Sequence, residues 1–354
     1  MRDLGVLESL DEVPASRPER YTCDLVVAET VAGPLTVPVW VVRGKSPGPT
    51  LAMTAGVHAG EFTGQVAVPR LASTIDVEKL SGDFIGVVCA NPRALELRMS
   101  FYLPIDGVNI NQSFPGDPFG SIGSQVAATI GIEIIERSST YMDLHSGDHY
   151  EEIPLHVVVP ELGNPETDKS SRRLASLFDI EFRNIMGAGI DELSGTSEDG
   201  SNVWTGLKVA RNNIGHASLH GIPSIQLEVG GAGRFDPELV DLELRGFLNF
   251  MRHMGMYPGE PVFNDRQTDV YGMYVVTADS AGYFVRDVEP GQRVRHGTPL
   301  GTFLDRFGLP RTVVKSPLAG WVLMIFSTPT RNGGECVCII GMDRDPREEN
   351  ADHV

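Results

Sequence analysis

The chain has 354 residues, 41% of them hydrophobic and 21% charged, which is enough for a large core and for two domains. Its 29 basic residues against 47 acidic ones leave a net charge of −18, which argues against nucleic acid or an anionic membrane as partner. There is no apolar run of membrane-spanning length and no signal-peptide core, and the cysteines at 23, 89, 336 and 338 form no disulfide or zinc framework, so a reducing cytoplasm is the expected location.

Residues 1–20 are polar and Pro-containing and read as an arm that packs on a neighbour, which leaves room for a homo-oligomer. From Tyr21 to Tyr257 strand-like and helix-like runs alternate. Val37–Val42 and Thr50–Ala55 are strands by their apolar, β-branched content. The second leads straight into Gly56-Val57-His58-Ala59-Gly60-Glu61. A His and a Glu three residues apart at a strand end can turn toward one point, as two ligands of a transition metal must. The flanking glycines let the backbone turn there without a Cβ penalty. A His-x-x-Glu word alone is weak evidence, because it arises often by chance; further pieces of the same kind downstream give it weight.

Gly64–Ile75 reads as a helix and Phe84–Ala90 as a strand. The polar stretch after it holds Asn91-Pro92-Arg93-Ala94, then Arg98, then Asp106 to Gly116 with Asn111 and Gln112. Long ordered loops in compact domains are usually functional. Asn111 offers a fixed amide, and Arg98 a planar fork for an oxyanion or carboxylate; Arg93 reads as a solvated surface residue.

Ser124–Ser138 is helix-like and leads to Asp143-Leu144-His145. His145 can complete a His, Glu, His set, the three-ligand pattern of catalytic rather than structural zinc. Asp143 is placed to accept the spare ring N–H of a ligand. Alone, His145 reads equally well as a loop or core histidine. His156–Pro160 is a strand candidate, Ser170–Phe178 a helix candidate, and Ser224–Val229 a strand carrying Glu228 before two glycines. A carboxylate in an apolar strand needs a partner. That partner is either an arginine with a purely structural role or a reacting water whose proton Glu228 takes and later gives to a leaving amine. Asp236-Pro237 is a helix start, with an N-cap followed by Pro in the first turn, for a helix over Pro237–Met254. This alternation predicts a three-layer α/β domain on a mainly parallel or mixed sheet.

After Pro258 the texture becomes β-rich. Short runs at Gly272–Ala278, Gly282–Val285, Pro299–Phe303, Arg311–Lys315, Trp321–Phe326 and Glu335–Ile340 are separated by Gly-marked turns, which predicts a small all-β domain. The words Val288-Glu289-Pro290-Gly291 and Ser316-Pro317-Leu318-Ala319-Gly320 resemble the biotinyl/lipoyl type of β-sandwich. Lys315 precedes a Ser-Pro turn instead of sitting at a hairpin tip, so it is expected to be unmodified. The predicted organisation is an arm over 1–20, a hydrolase domain over 21–257 and a β-rich cap over 258–345.

Taken together, GVHAGE at His58 to Glu61, NPRA at Asn91, DGVNINQSFPG from Asp106, DLHSG around His145 and QLEVGG around Glu228 resemble the succinylglutamate desuccinylase/aspartoacylase family of zinc carboxypeptidase-like hydrolases. The order and wide spacing of these words are more specific than any one of them. The resemblance implies one zinc ion per chain on His58, Glu61 and His145, with Glu228 as general base and acid. It implies hydrolysis of the amide bond of a small N-acylated amino acid or related amine. The reading from mechanism adds Arg98 as oxyanion support, and Asn111 and Gln112 as substrate-binding residues.

One departure stands out. The family pattern has Arg where this chain has Gln112, and Gln can only hydrogen-bond where Arg makes a charged bidentate pair. Either the substrate lacks the carboxylate held there, or another arginine supplies the charge. Two rivals remain at this level: a zinc carboxypeptidase acting on peptides, and a metal-binding but catalytically silent homologue.

Overall fold

The protein is represented by a computed structural model that describes residues 1–187, 209–343 and 345. Strand β1 (Arg2–Leu7) lies parallel to β2 (Glu19–Thr30). The N-terminal segment, expected to reach a neighbour, thus extends the chain's own sheet. The Ser9 hydroxyl, donating to Glu133 at 3.0 Å, ties it down further. Strand β2 folds back on β3 (Gly33–Arg43) as a long antiparallel hairpin.

Then come β4 (Ser46–Ala55), α1 (Phe62–Thr74), β5 (Ser81–Val87), α2 (Pro92–Leu97) and α3 (Ile122–Ile130). They are followed by β6 (Thr140–His145), β7 (Glu151–Glu152), β8 (His156–Glu161), α4 (Pro165–Ala175), β9 (Phe182–Gly187), α5 (Asn213–Leu219), β10 (Ser224–Glu228) and α6 (Pro237–His253). In space the strands run β1-β2-β3-β5-β4-β6-β10-β8-β9. Strands β5, β4, β6 and β10 are mutually parallel, while β3 runs against both of its neighbours and β8 runs against β10 but parallel to β9, so the sheet is mixed.

The two-residue period of a strand divides the core in two. Leu51, Met53, Met142, Leu144, Ile225 and Leu227 point to the face covered by α1 and α6, where they meet Val68, Leu71, Phe247 and Phe250. Ala52, Tyr141 and Val158 point to the other face, against Val126 and Ile130 of α3 and Ile214 and Ala217 of α5. Each such large apolar side chain contributes roughly 1.5–3 kcal/mol on burial. Helices therefore cover both faces, as the alternation predicted. Helix α6 begins as expected, with Asp236 accepting from the Glu238 N–H at 2.9 Å and Pro237 in the first turn.

The remaining strands are β11 (Thr268–Thr277), β12 (Gly282–Arg286), β13 (Arg293–Val294), β14 (Pro299–Leu304), β15 (Pro310–Lys315), β16 (Gly320–Phe326), β17 (Thr330–Arg331) and β18 (Cys336–Met342). Hydrogen bonding does not break near residue 258. Strand β11 pairs in parallel with β9, and the sheet runs on through β18, β16 and β13. A second sheet, β15-β14-β12-β17, shares a core with it: Phe284, Leu300 and Phe303 meet Val322, Ile325, Val337 and Ile340. Among the described residues no helix is long and apolar enough to cross a membrane.

Candidate active site

The parallel strands β4, β6 and β10 end side by side, and the site is built where they end. Open α/β sheets bind ligands at the carboxyl ends of their strands. Beyond Ala55, Gly56 turns the chain at φ 64°, a conformation open to glycine and strained for other residues. His58 follows, and Glu61 occupies the N-cap of α1. His145 is the last residue of β6 and Glu228 the last of β10, and the two are aligned across the parallel pair.

His58, Glu61 and His145 are brought together in a nearly dry cluster, exposed by only 7%, 3% and 2%. One ligand atom from each lies within 4.8 Å of the others. His58 Nδ1 is 2.9 Å from Glu61 Oε1, and His145 Nδ1 is 2.7 Å from Glu61 Oε2. The outer nitrogens are also held: His145 Nε2 faces Asp143 Oδ2 at 2.5 Å, and His58 Nε2 faces Asn109 Oδ1 at 3.3 Å. With Nε2 donating to an oxygen, each ring turns the lone pair of Nδ1 inward. Two imidazole nitrogens and a carboxylate, each oriented from behind, are the donor set that suits zinc.

The same arrangement perturbs the charges. Burial opposes ionisation of Glu61, yet His145 and His58 outweigh it and bring its carboxyl down to about 2. Burial also opposes charge on His145, but Asp143 and Glu61 hold the imidazolium well above its ordinary range. The carboxylates thus favour a positive charge at the centre of the cluster, which a divalent ion would supply in place of the protons.

Glu228 stands beside this cluster, its Oε1 accepting from Gln226 Nε2 at 2.7 Å. Burial, with Glu61 and Glu151 adding to it against His145, pushes its carboxyl up to about 8. A group so poised both takes and gives a proton near neutrality, and a cation nearby favours its carboxylate form.

Asn111 is buried; its backbone N–H donates to Asn109 Oδ1 at 2.9 Å, and its own Oδ1 is left without a donor. Gln112 ends a short helical turn and donates to the Asn111 carbonyl at 3.2 Å. Arg98 is not gathered into the cluster. It closes α2 in a left-handed conformation at φ 55°, it is exposed, and no hydrogen bond or ion pair among the described residues holds its guanidinium.

Three residues at the site escaped the sequence reading. Asn109 orients His58, although the amide singled out in that loop was Asn111. Phe101 lies edge-on to the His58 ring, with centroids 4.7 Å apart. Glu151 is pushed up to about 7, chiefly by burial, with Glu61 and Asp148 adding to it. The Asx-turn preference of asparagine was a usable signal for Asn109; for the other two the sequence carried none.

A model of the succinylglutamate desuccinylase/aspartoacylase catalytic domain matches residues 47–254, which include every residue of the cluster. The N-alpha-acetyl-L-2,4-diaminobutyric acid deacetylase of Halomonas elongata is 30% identical over 234 residues, which are 66% of this chain and 62% of that protein's length. Among solved structures, a succinylglutamate desuccinylase/aspartoacylase from Rhodobacter sphaeroides superposes with a TM-score of 0.79 at 23% identity, covering 96% of this chain and 100% of that one. The product-bound ectoine utilization protein EutE (DoeB) from Ruegeria pomeroyi gives 0.80 at 22% identity, covering 94% and 97%. Both structures share the fold over more than nine-tenths of this chain. The catalytic-domain match spans more than half of the sequence, and the chain belongs to the succinylglutamate desuccinylase/aspartoacylase family.

Proposed function

We propose that this protein is a zinc-dependent deacylase that hydrolyses the amide bond of a small N-acylated amino acid. The observation that carries the reading is the convergence of His58 Nδ1, His145 Nδ1 and the Glu61 carboxylate beside Glu228, at the aligned ends of three strands. Bound zinc would supply a Lewis acid for the amide carbonyl and ease the ionisation of water. His58, Glu61 and His145 hold the ion, with Asp143 and Asn109 fixing the rings. Glu228 takes the proton of the attacking water and passes it to the leaving amine. Arg98, free of any competing acceptor, is the proposed oxyanion donor from its loop, and Asn111 a proposed substrate contact. The C-terminal β unit, in this reading a sandwich-like cap, walls one side of the approach and favours small substrates over peptides.

The test is amine release from N-alpha-acetyl-L-2,4-diaminobutyrate, chosen from the Halomonas relative, beside a panel of other N-acetyl amino acids and short peptides. The reading expects turnover of acylated amino acids that is lost on chelation and restored by zinc. Turnover of peptides alone would make the protein a carboxypeptidase, and turnover of neither by zinc-loaded protein would make it a silent metal binder.

A further inference from the structure

A cavity of about 1200 Å³ is lined mostly by the C-terminal β unit and reaches Phe101, Tyr150 and Glu151 of the α/β part. On the cluster side its wall includes Phe101, in contact with His58, and Glu151, which feels the charge of Glu61. On the other side it includes Phe326 and Arg331. Backbone joins the two walls. Glu151 and Glu152 of β7 pair antiparallel with Phe326 and Ile325 of β16, and the Ser327 N–H donates to the Tyr150 carbonyl at 2.9 Å. Arg286 adds an ion pair to Glu152 at 2.5 Å. The β unit is therefore joined to the Glu151 wall of the cavity by strand pairing, and Arg331, paired with Gly282 of β12, rests over Phe326 at that junction.

Three arginines line this cavity, and they differ in what they hold. Arg311 turns its Nε and Nη2 edge onto Asp305, at 3.0 and 2.8 Å. Arg306 is exposed beside Phe307. Arg331 sits over the Phe326 ring, its guanidinium carbon 3.6 Å from the centroid, and donates through Nη1 to the Thr330 carbonyl. Its Nε and Nη2 are shielded from water and have no acceptor. That pair of parallel N–H groups is the edge with which arginine grips a carboxylate side-on. Donors of a charged group left unmet out of water are costly, so the edge calls for an anionic acceptor. The loop position at which the family pattern has an arginine holds Gln112 here, whose amide donates to a neighbouring carbonyl.

We propose that Arg331 binds the carboxylate of the acylated amino acid through Nε and Nη2, so that the C-terminal β unit supplies the charge that Gln112 does not. The substrate class is then an N-acyl amino acid with a free carboxylate. This inference rests on the deacylase reading and adds the residue that sets its specificity.

The experiment compares N-alpha-acetyl-L-2,4-diaminobutyrate with its carboxamide in wild type, Arg331→Met and Arg331→Lys, by kinetics and by calorimetric binding to the zinc-loaded protein. Arg331→Met should raise KM for the acid 10- to 100-fold, leave kcat within about threefold, and leave the carboxamide unchanged. Arg331→Lys should recover part of the loss. Equal losses for acid and carboxamide would reduce Arg331 to a structural role, and no loss for either would remove it from the site; both results overturn the inference. Where no turnover is seen in wild type, the deacylase reading fails and binding decides this one. Preferential binding of the acid that is lost in Arg331→Met supports it, and equal binding of acid and carboxamide overturns it.

Discussion

Asp143 and His145 are two residues apart on β6 and so point to the same face of the sheet, where Asp143 Oδ2 meets His145 Nε2 at 2.5 Å. Asp143 is fully buried, and its contact leaves His145 Nδ1 as the nitrogen turned toward Glu61. Asp143→Asn keeps the shape and removes the charge that stabilises the ring's N–H. It should weaken metal affinity by about 10- to 100-fold. Competition with a chelator of known affinity measures this; an unchanged affinity would mean that the ring is held by packing alone.

Glu228→Gln keeps the contact with Gln226 and removes the proton acceptor. Hydrolysis should fall by roughly 10²–10⁴-fold, with metal content unchanged because Glu228 is not one of the three ligands. Turnover and metal analysis on the same preparation check it. Near-full activity would place the base elsewhere, with Glu151 the next carboxyl to test.

The legible parts of this protein were those with short-range causes. Strand ends marked by glycine and the cap at Asp236 could be read from neighbouring residues, and so could the Asp143 and His145 pair, because two-residue spacing fixes their shared face. Helix α4 was expected from Ser170, yet it starts at Pro165 behind an Asn164 cap whose signal was passed over. The helix expected over Ser124–Ser138 leaves regular α geometry after Ile130 and widens into a π-type turn over 131–135. No local propensity announces such a turn. The N-terminal strand and the pairing of β7 with β16 depend on partners far along the chain, so Arg331 carried no sign of the cavity it shares with Phe101 and Glu151. Burial of Glu151 is likewise a property of the assembled fold, and its residue type argued against it.

His156 lies on the same sheet face as Glu228, directly across the β8–β10 pair. Burial holds its imidazole down to about 4, while Nδ1–H donates to the Pro154 carbonyl at 2.9 Å and Nε2 has no partner. A histidine whose folded value lies below the ordinary 6.5 stabilises fully above pH 6.5, and that stability is lost as pH falls through about 4. The contribution is on the order of 3 kcal/mol. Urea midpoints between pH 7 and 4 should therefore fall less steeply in His156→Phe than in wild type. Parallel profiles would show that His156 is not a source of acid sensitivity.

Gly64 sits in the first turn of α1 against β6, and a Cβ there would lie 2.4 Å from the Leu144 Cβ. Both neighbours are fixed, because Leu144 is in the apolar core and α1 is held by α6. Gly64→Ala would gain helix propensity, worth about 1 kcal/mol. The clash forces α1 outward at a cost of typically 1–3 kcal/mol, so the net change should be destabilising by up to about 2 kcal/mol. The displacement acts on the end of α1 that carries Glu61 at its N-cap, so the carboxylate moves with it. Metal affinity should drop along with the urea midpoint, although residue 64 is no ligand. A stability loss with metal affinity unchanged would show that Glu61 is positioned by His58 and His145 instead of by the helix behind it.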